Sequence, residues 1–205
     1  LKLLFEQNTC VGVLVEIAGL QHRIAARREV ILAAGAYQSP QLLMLSGIGK
    51  PEDLREHGIE VRVPLPGVGG NLQDHFGSMV QHRCTQPITL NSKLGLFSKA
   101  LIGARWMLFK DGLGATNHFE AGAFIRSKAG LEWPDIQYHF QPLSAEKPGI
   151  EMHAFPGVTL SVCQLRPESK GHIEITSPDP KAYPAIHPNY LSTSTDQQTA
   201  IDSLK

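Results

Sequence analysis

Long apolar runs are missing from this sequence. Its longest uninterrupted hydrophobic stretches fall well short of the roughly 20 residues that a bilayer span needs, so no transmembrane helix is predicted. Excess charge of either sign is missing too. Nineteen Lys+Arg balance nineteen Asp+Glu, for a formal net charge of +0. That removes the electrostatic case for nucleic acid or for an anionic surface. Peripheral contact with the inner face of a membrane, which needs no span, stays compatible. Cysteine is scarce: the chain has 3, at Cys10, Cys84 and Cys163. They are odd in number, far apart and form no Cys-x-x-Cys pair, which excludes a disulfide framework. Buried, reduced thiols and a reducing, cytoplasmic setting are expected.

Several catalytic signatures are also lacking. No Gly-x-Ser-x-Gly elbow and no P-loop occur, so acyl and phosphoryl transfer have no support. There is no His-Glu-x-x-His and no Cys/His cluster at zinc spacing. Of the 9 histidines, His118, His139, His153 and His172 fall on different predicted elements, and no metal site is expected.

What is present begins with an apolar run, Val30-Ile31-Leu32-Ala33-Ala34, read as a buried strand of a parallel sheet. Gly35 follows and permits a tight turn or a close ligand approach. Ser39-Pro40 reads as an N-cap and first helical residue, and Ser46-Gly47 as the stop. A strand, a glycine and a helix N-terminus together suit the phosphate or ribose side of a nucleotide, although the same joint is common in proteins that bind nothing. Short strands are predicted around Leu3–Phe5, Val11–Glu16 and His22–Ala26, and a helix over Pro51–His57 closed by Gly58. Pro64 to Gly70 is the strongest compositional boundary. Beyond it, Leu94 to Lys110 has apolar residues at helical spacing and reads as amphipathic. Four period-two runs, Phe119–Ile125, Ile136–Phe140, Val158–Leu165 and His172–Thr176, argue a mostly antiparallel sheet. Ser144 to Pro156 reads as a polar loop.

The string Gly35 to Gly49 resembles the second signature of the glucose-methanol-choline (GMC) family of FAD-dependent oxidoreductases. Gly35, Ala36, Ser39, Pro40, Leu42, Leu43, Ser46, Gly47 and Gly49 carry the match. The likeness continues through Leu65 to His75, Gly114 to Gly122, Pro134 to Phe140, Leu165 to His172 and Pro188 to Ser192, and is strongest to the choline-dehydrogenase-like branch. It implies an α/β fold, α+β overall. The closing part of an FAD-binding Rossmann-like domain is expected over residues 1–75. A mostly antiparallel substrate domain backed by helices is expected over 76–205. Family members are longer, open with a Gly-x-Gly-x-x-Gly fingerprint and keep a catalytic histidine in a distal segment. This chain has neither feature, so it is expected to be an internal fragment that lacks the catalytic base.

The resemblance implies FAD as cofactor and an alcohol as substrate. Ala34, Gly35, Ala36, Ser39, Asn71 and Asp74 are the expected cofactor-side residues. Asn71, Asp74 and His75 are expected near the cofactor, and for their chemistry a structural role, fixing a loop by side-chain hydrogen bonds, is the favoured reading. Glu120, on one strand face with Gly122 and Phe124, is the expected substrate contact. Its carboxylate would pair with a quaternary ammonium while an aromatic face adds cation–π attraction. A structural Glu paired with Arg126, Arg105 or solvent is the alternative. The implied activity is hydride transfer from a primary, choline-like alcohol to flavin, the isolated fragment being inactive. A flavin-containing lyase of the same fold and a non-catalytic binding domain are the competing readings. Strands whose partners lie outside the fragment would leave open edges, which favour self-association.

Overall fold

Alternating residues at the start of the chain build a three-stranded meander, because each reversal has residues that accept a positive φ. These are Gln7 at 51° in the first turn, and Ala18 at 51° with Gly19 at 80° in the second. The computed structural model describes residues 1–147 and 150–205. In chain order the elements are β1 (Lys2–Glu6), β2 (Thr9–Ile17), β3 (Leu20–Ala25), α1 (Gly35–Leu45), β4 (Ile48–Gly49), α2 (Pro51–Glu56), β5 (Val63–Pro64), β6 (Gly77–Arg83), α3 (Leu96–Phe109), β7 (Ala121–Ile125), β8 (Ile136–Gln141), β9 (Ala145–Lys147), β10 (Glu151–Met152), β11 (Gly157–Gln164), β12 (His172–Glu174), β13 (Ala185–His187) and α4 (Ser194–Asp202). The fold mixes helices with sheets that are mostly antiparallel. Among the described residues the β4–β5 pair is parallel.

The chain divides into two compact units, Leu1–Asp74 with Ser169–Ser192, and His75–Glu168 with Thr193–Lys205. The sequence predicts one break near residue 75, with everything beyond it kept together. Instead residues 169–192 return to the first unit, and the reason lies in its core. Ile173 and Ile175 are buried with Met44, Leu54 and Leu72, and Leu45, Ile59, Val61 and Val68 pack around them. Each large aliphatic side chain buried this way is worth about 1.5–3 kcal/mol. Two reciprocal backbone bonds add to the attachment: the Leu72 N–H donates to the Gly171 carbonyl at 2.9 Å and the Gly171 N–H to the Leu72 carbonyl at 2.8 Å. The His172 run therefore pairs with β13 in the first unit rather than joining the larger sheet.

In the second unit the strand order is β6-β11-β8-β7. β11 is central, with Leu160 opposite both Val80 and Phe140. β7, paired on one side, is exposed throughout. Asn91 fastens the segment between β8 and β11: its side-chain N–H groups donate to the Ser144 and His153 carbonyls at 2.7 and 2.9 Å, and its oxygen accepts from the Ser144 N–H at 2.9 Å. The predicted loop over 144–156 contains the β9–β10 pair, and its residues 148–149 lie outside the described residues. α4 starts where the Thr193 hydroxyl accepts from the Asp196 N–H at 3.2 Å.

Four further expectations are corrected. Val30 to Ala34 is not a strand, because no described strand lies alongside to complete a ladder, and Ile31 is 79% exposed. The following helix begins at Gly35 rather than Pro40, so Pro40 sits inside it. α3 forms where its periodicity predicts, yet none of its residues is buried. The three cysteines are free, as expected, but half-buried rather than buried.

Candidate cofactor site

The entry to α1 decides the local geometry. Gly35 takes φ +83°, a left-handed value that costs an L-side chain about 1–2 kcal/mol, and no atom lies within 4 Å of where its Cβ would be. The turn lets the helix start at once, with Ala34 as its N-cap residue. Ser39 does not cap forward; its hydroxyl accepts from the Ala34 N–H behind it, at 3.1 Å. The first turn of α1 has no acidic residue and no side-chain cap. Its N–H groups, which have no acceptor inside the helix, therefore present a partial positive charge. Pro40 further leaves the Ala36 carbonyl without its intrahelical donor.

Opposite this turn runs the glycine loop. Gly69 adopts φ +82°, and a Cβ there would overlap the Ile173 carbonyl oxygen. The Ile173 N–H donates to the Gly69 carbonyl at 2.7 Å, so the loop is pinned directly on β12. Asn71 follows with φ 58°, a value asparagine tolerates better than most residues. A cavity of about 390 Å³ opens between the two segments, lined by Ala36, Pro40, Gly69, Gly70, Asn71, Leu72, Gln73 and Ile173. Two expected cofactor-side residues, Ala36 and Asn71, thus meet at one cavity. Ala34, Gly35 and Ser39 form the turn that positions its α1 wall.

Asp74 is engaged elsewhere. Its carboxylate accepts a short hydrogen bond from the Tyr190 hydroxyl. That bond pushes the Tyr190 phenol up to about 12, with burial and the charge of Asp74 adding to it. Tyr190 lies in the Pro188–Ser192 string, but nothing local points to its partner, which lies 116 positions away. His75, adjacent to Asp74 in the sequence, belongs to the second unit, where its Nε2 lies 3.2 Å from the Leu165 carbonyl oxygen. The expected knot is thus divided between two structural settings.

Glu120 lies in the second unit, one residue before β7. Its N–H donates to the Phe140 carbonyl at 3.1 Å, which continues the β7–β8 ladder. The residue is exposed, and it is not among those lining the cavity beside α1.

The family model for GMC oxidoreductase matches residues 1–77. The oxygen-dependent choline dehydrogenase of Photobacterium profundum is 52% identical over 204 residues, covering 100% of this chain. The chain belongs to the GMC oxidoreductase family. The corresponding enzyme of Brucella anthropi is 52% identical over 195 residues, or 95% of the chain. This GMC chain spans 36% of the length of either relative. A solved structure of Aspergillus oryzae RIB40 formate oxidase, with a mutation affecting FAD modification, superposes at a TM-score of 0.88. It is 26% identical, over 99% of this chain and 41% of that one.

The site's chemistry fits part of a dinucleotide. Uncapped helix N–H groups suit a diphosphate, and the absence of side-chain atoms around Gly35 lets a ligand reach the backbone. The Asn71 amide offers both donors and an acceptor for a sugar hydroxyl.

Proposed function

We propose that this chain is the cofactor-wall and substrate-sheet portion of an FAD-dependent oxidoreductase that acts on the CH–OH group of a choline-like primary alcohol. The observation carrying the reading is the convergence of Ala36 on α1 and Asn71 on the glycine loop at one cavity beside an uncapped helix N-terminus. In that role Gly35, Ala36 and the first turn of α1 hold an anionic part of FAD. Ala34 and Ser39 fix the turn, and Asn71 bonds a hydroxyl. Asp74 keeps the end of the loop in place through Tyr190. Bound FAD would supply the hydride-accepting chemistry for oxidation of the alcohol carbon. This chain's residues bind, orient and exclude water, and none of them is assigned as the base. Glu120 attracts the substrate's cationic head. The high identity to two oxygen-dependent choline dehydrogenases supports a choline-like alcohol. The free thiols suit a reducing compartment such as the cytoplasm. β3 and β7, at the edges of their sheets, offer backbone groups for self-association.

Two measurements test this. First, FAD titrated into the isolated chain should bind weakly, with no turnover of choline, because only part of the cofactor's surroundings is present; a tightly retained flavin spectrum would contradict that. Second, Glu120→Gln in the longer enzyme that carries this chain should lower kcat/KM for choline about tenfold or more, while an uncharged alcohol of similar size is little affected. An equal loss for both alcohols would remove Glu120 from cation recognition.

A further inference from the structure

β12 and β13 pair antiparallel, with His172 directly opposite His187 and Glu174 opposite Ala185. The strand period sends His172 and Glu174 to one face and Ile173, only 4% exposed, into the core. The two imidazole rings stack with centroids 4.5 Å apart and planes 17° from parallel. Glu174 reaches both: its carboxylate oxygens lie 2.9 Å from His172 Nε2 and 3.6 Å from His187 Nε2. One ligand atom from each of the three residues falls within 4.8 Å of the others.

We propose that His172, Glu174 and His187 form a binding site for a divalent transition-metal ion of the Zn²⁺ class, independent of the cofactor reading above. Donors held at about 2.0–2.1 Å from a tetrahedral zinc ion stand about 3.3–3.4 Å apart. The two observed carboxylate–imidazole separations bracket that spacing, and binding one ion requires the stacked rings to rotate about their side-chain torsions until both nitrogen lone pairs point at it. Two imidazoles and one carboxylate favour zinc, nickel or copper over magnesium or calcium, which prefer an all-oxygen shell. The strand beneath the ligands is held firmly. Ile173 is buried in the core, its N–H is bonded to Gly69, and the neighbouring Gly171 is bonded to Leu72 in both directions. Three protein donors leave a tetrahedral ion one position for water or an external ligand. The bound ion ties β13 to β12 and so fastens the β12–β13 pair within the 169–192 segment.

Calorimetric titration of Zn²⁺ into the chelator-treated 205-residue chain should give one site. His172→Gln and His187→Gln should each weaken it by at least about tenfold, the lower bound for losing even a residue that only supports a ligand. Glu174→Gln should weaken it in the same direction, and Mg²⁺ at equal concentration should not compete. All three side chains are about half exposed, so the variants are expected to keep the far-UV spectrum of the parent. Should one of them unfold, Ni²⁺-induced broadening of the His172 and His187 ring protons in the unaltered chain reads the same site. Absence of Zn²⁺ binding, undiminished binding in the His172→Gln/His187→Gln double variant, effective competition by Mg²⁺, or broadening confined to other histidines would each overturn the proposal.

Discussion

Replacing Gly69 by alanine perturbs the first unit at a point where the structure allows the cost to be separated into parts. Gly69 has φ +82° and Gly35 has φ +83°, so alanine meets nearly the same backbone strain at both, about 1–2 kcal/mol. Reduced freedom of the unfolded chain offsets about 0.4–1 kcal/mol of that at either position. The surroundings differ. A Cβ at Gly35 meets no atom within 4 Å, whereas one at Gly69 overlaps the Ile173 carbonyl oxygen. Relieving that overlap means moving the glycine loop off β12. Overpacking of this kind costs about 1–3 kcal/mol. The 2.7 Å bond from the Ile173 N–H to the Gly69 carbonyl is strained or lost with it, for a further 0.5–1.5 kcal/mol or so.

Gly69→Ala is therefore expected to destabilise the first unit by about 1.5–6 kcal/mol, and Gly35→Ala by no more than about 1.6 kcal/mol. Choice of probe matters, because both tryptophans, Trp106 and Trp133, lie in the second unit and fluorescence would follow the wrong part. Hydrogen exchange of peptides covering 69–73 and 169–176 reads the contact directly, and urea unfolding followed by circular dichroism supplies the free energy. Protection at Ile173 should fall in Gly69→Ala and persist in Gly35→Ala. Equal destabilisation by the two substitutions would mean that backbone strain alone counts, and the close packing of loop on strand would be refuted.

Tyr190 offers a pH test. Its folded value, about 12, lies above the ordinary 10, so its contribution to stability is fully present below pH 10 and fades as pH climbs from 10 towards 12. Ultraviolet titration of tyrosinate should show a late-ionising group that is absent in Tyr190→Phe; a titration curve in which Tyr190→Phe removes no late component would exclude the Asp74 bond. Asn91→Ala removes the partners of two carbonyls and one N–H at a site only 7% exposed, and should cost at least about 2 kcal/mol in chemical unfolding. A loss below about 0.5 kcal/mol, the level of ordinary surface substitutions, would show that water replaces the amide there.

Local chemistry was legible from sequence where a few adjacent residues determine the outcome. Pro51 and Gly58 bracket α2, and the three short strands expected at the start of the chain form the meander of β1, β2 and β3. The boundary of α1 is misleading in sequence because Ser39-Pro40 has the form of a helix start, while the positive φ of Gly35 admits the chain to helix earlier and turns the Ser39 hydroxyl backward. Contacts between distant positions left no local trace. Tyr190 with Asp74, and Ile173 with Met44 and Leu54, depend on the 169–192 segment returning to the first unit. The remaining differences share one sign. Val30 to Ala34 and α3 carry the apolar patterns of buried elements, yet Ile31 is 79% exposed and no residue of α3 is buried. Periodicity records a preference for burial and says nothing of what supplies it. A strand needs a neighbour's N–H and C=O groups, and an apolar helix needs a facing surface. Among the described residues no strand pairs with Val30 to Ala34, and no packed surface buries any residue of α3, so the pattern forms its helix in one case and only an extended segment in the other. A helix closes its backbone bonds within itself and survives exposure, whereas a strand does not, which is why the same kind of sequence signal located α3 correctly and failed at Val30.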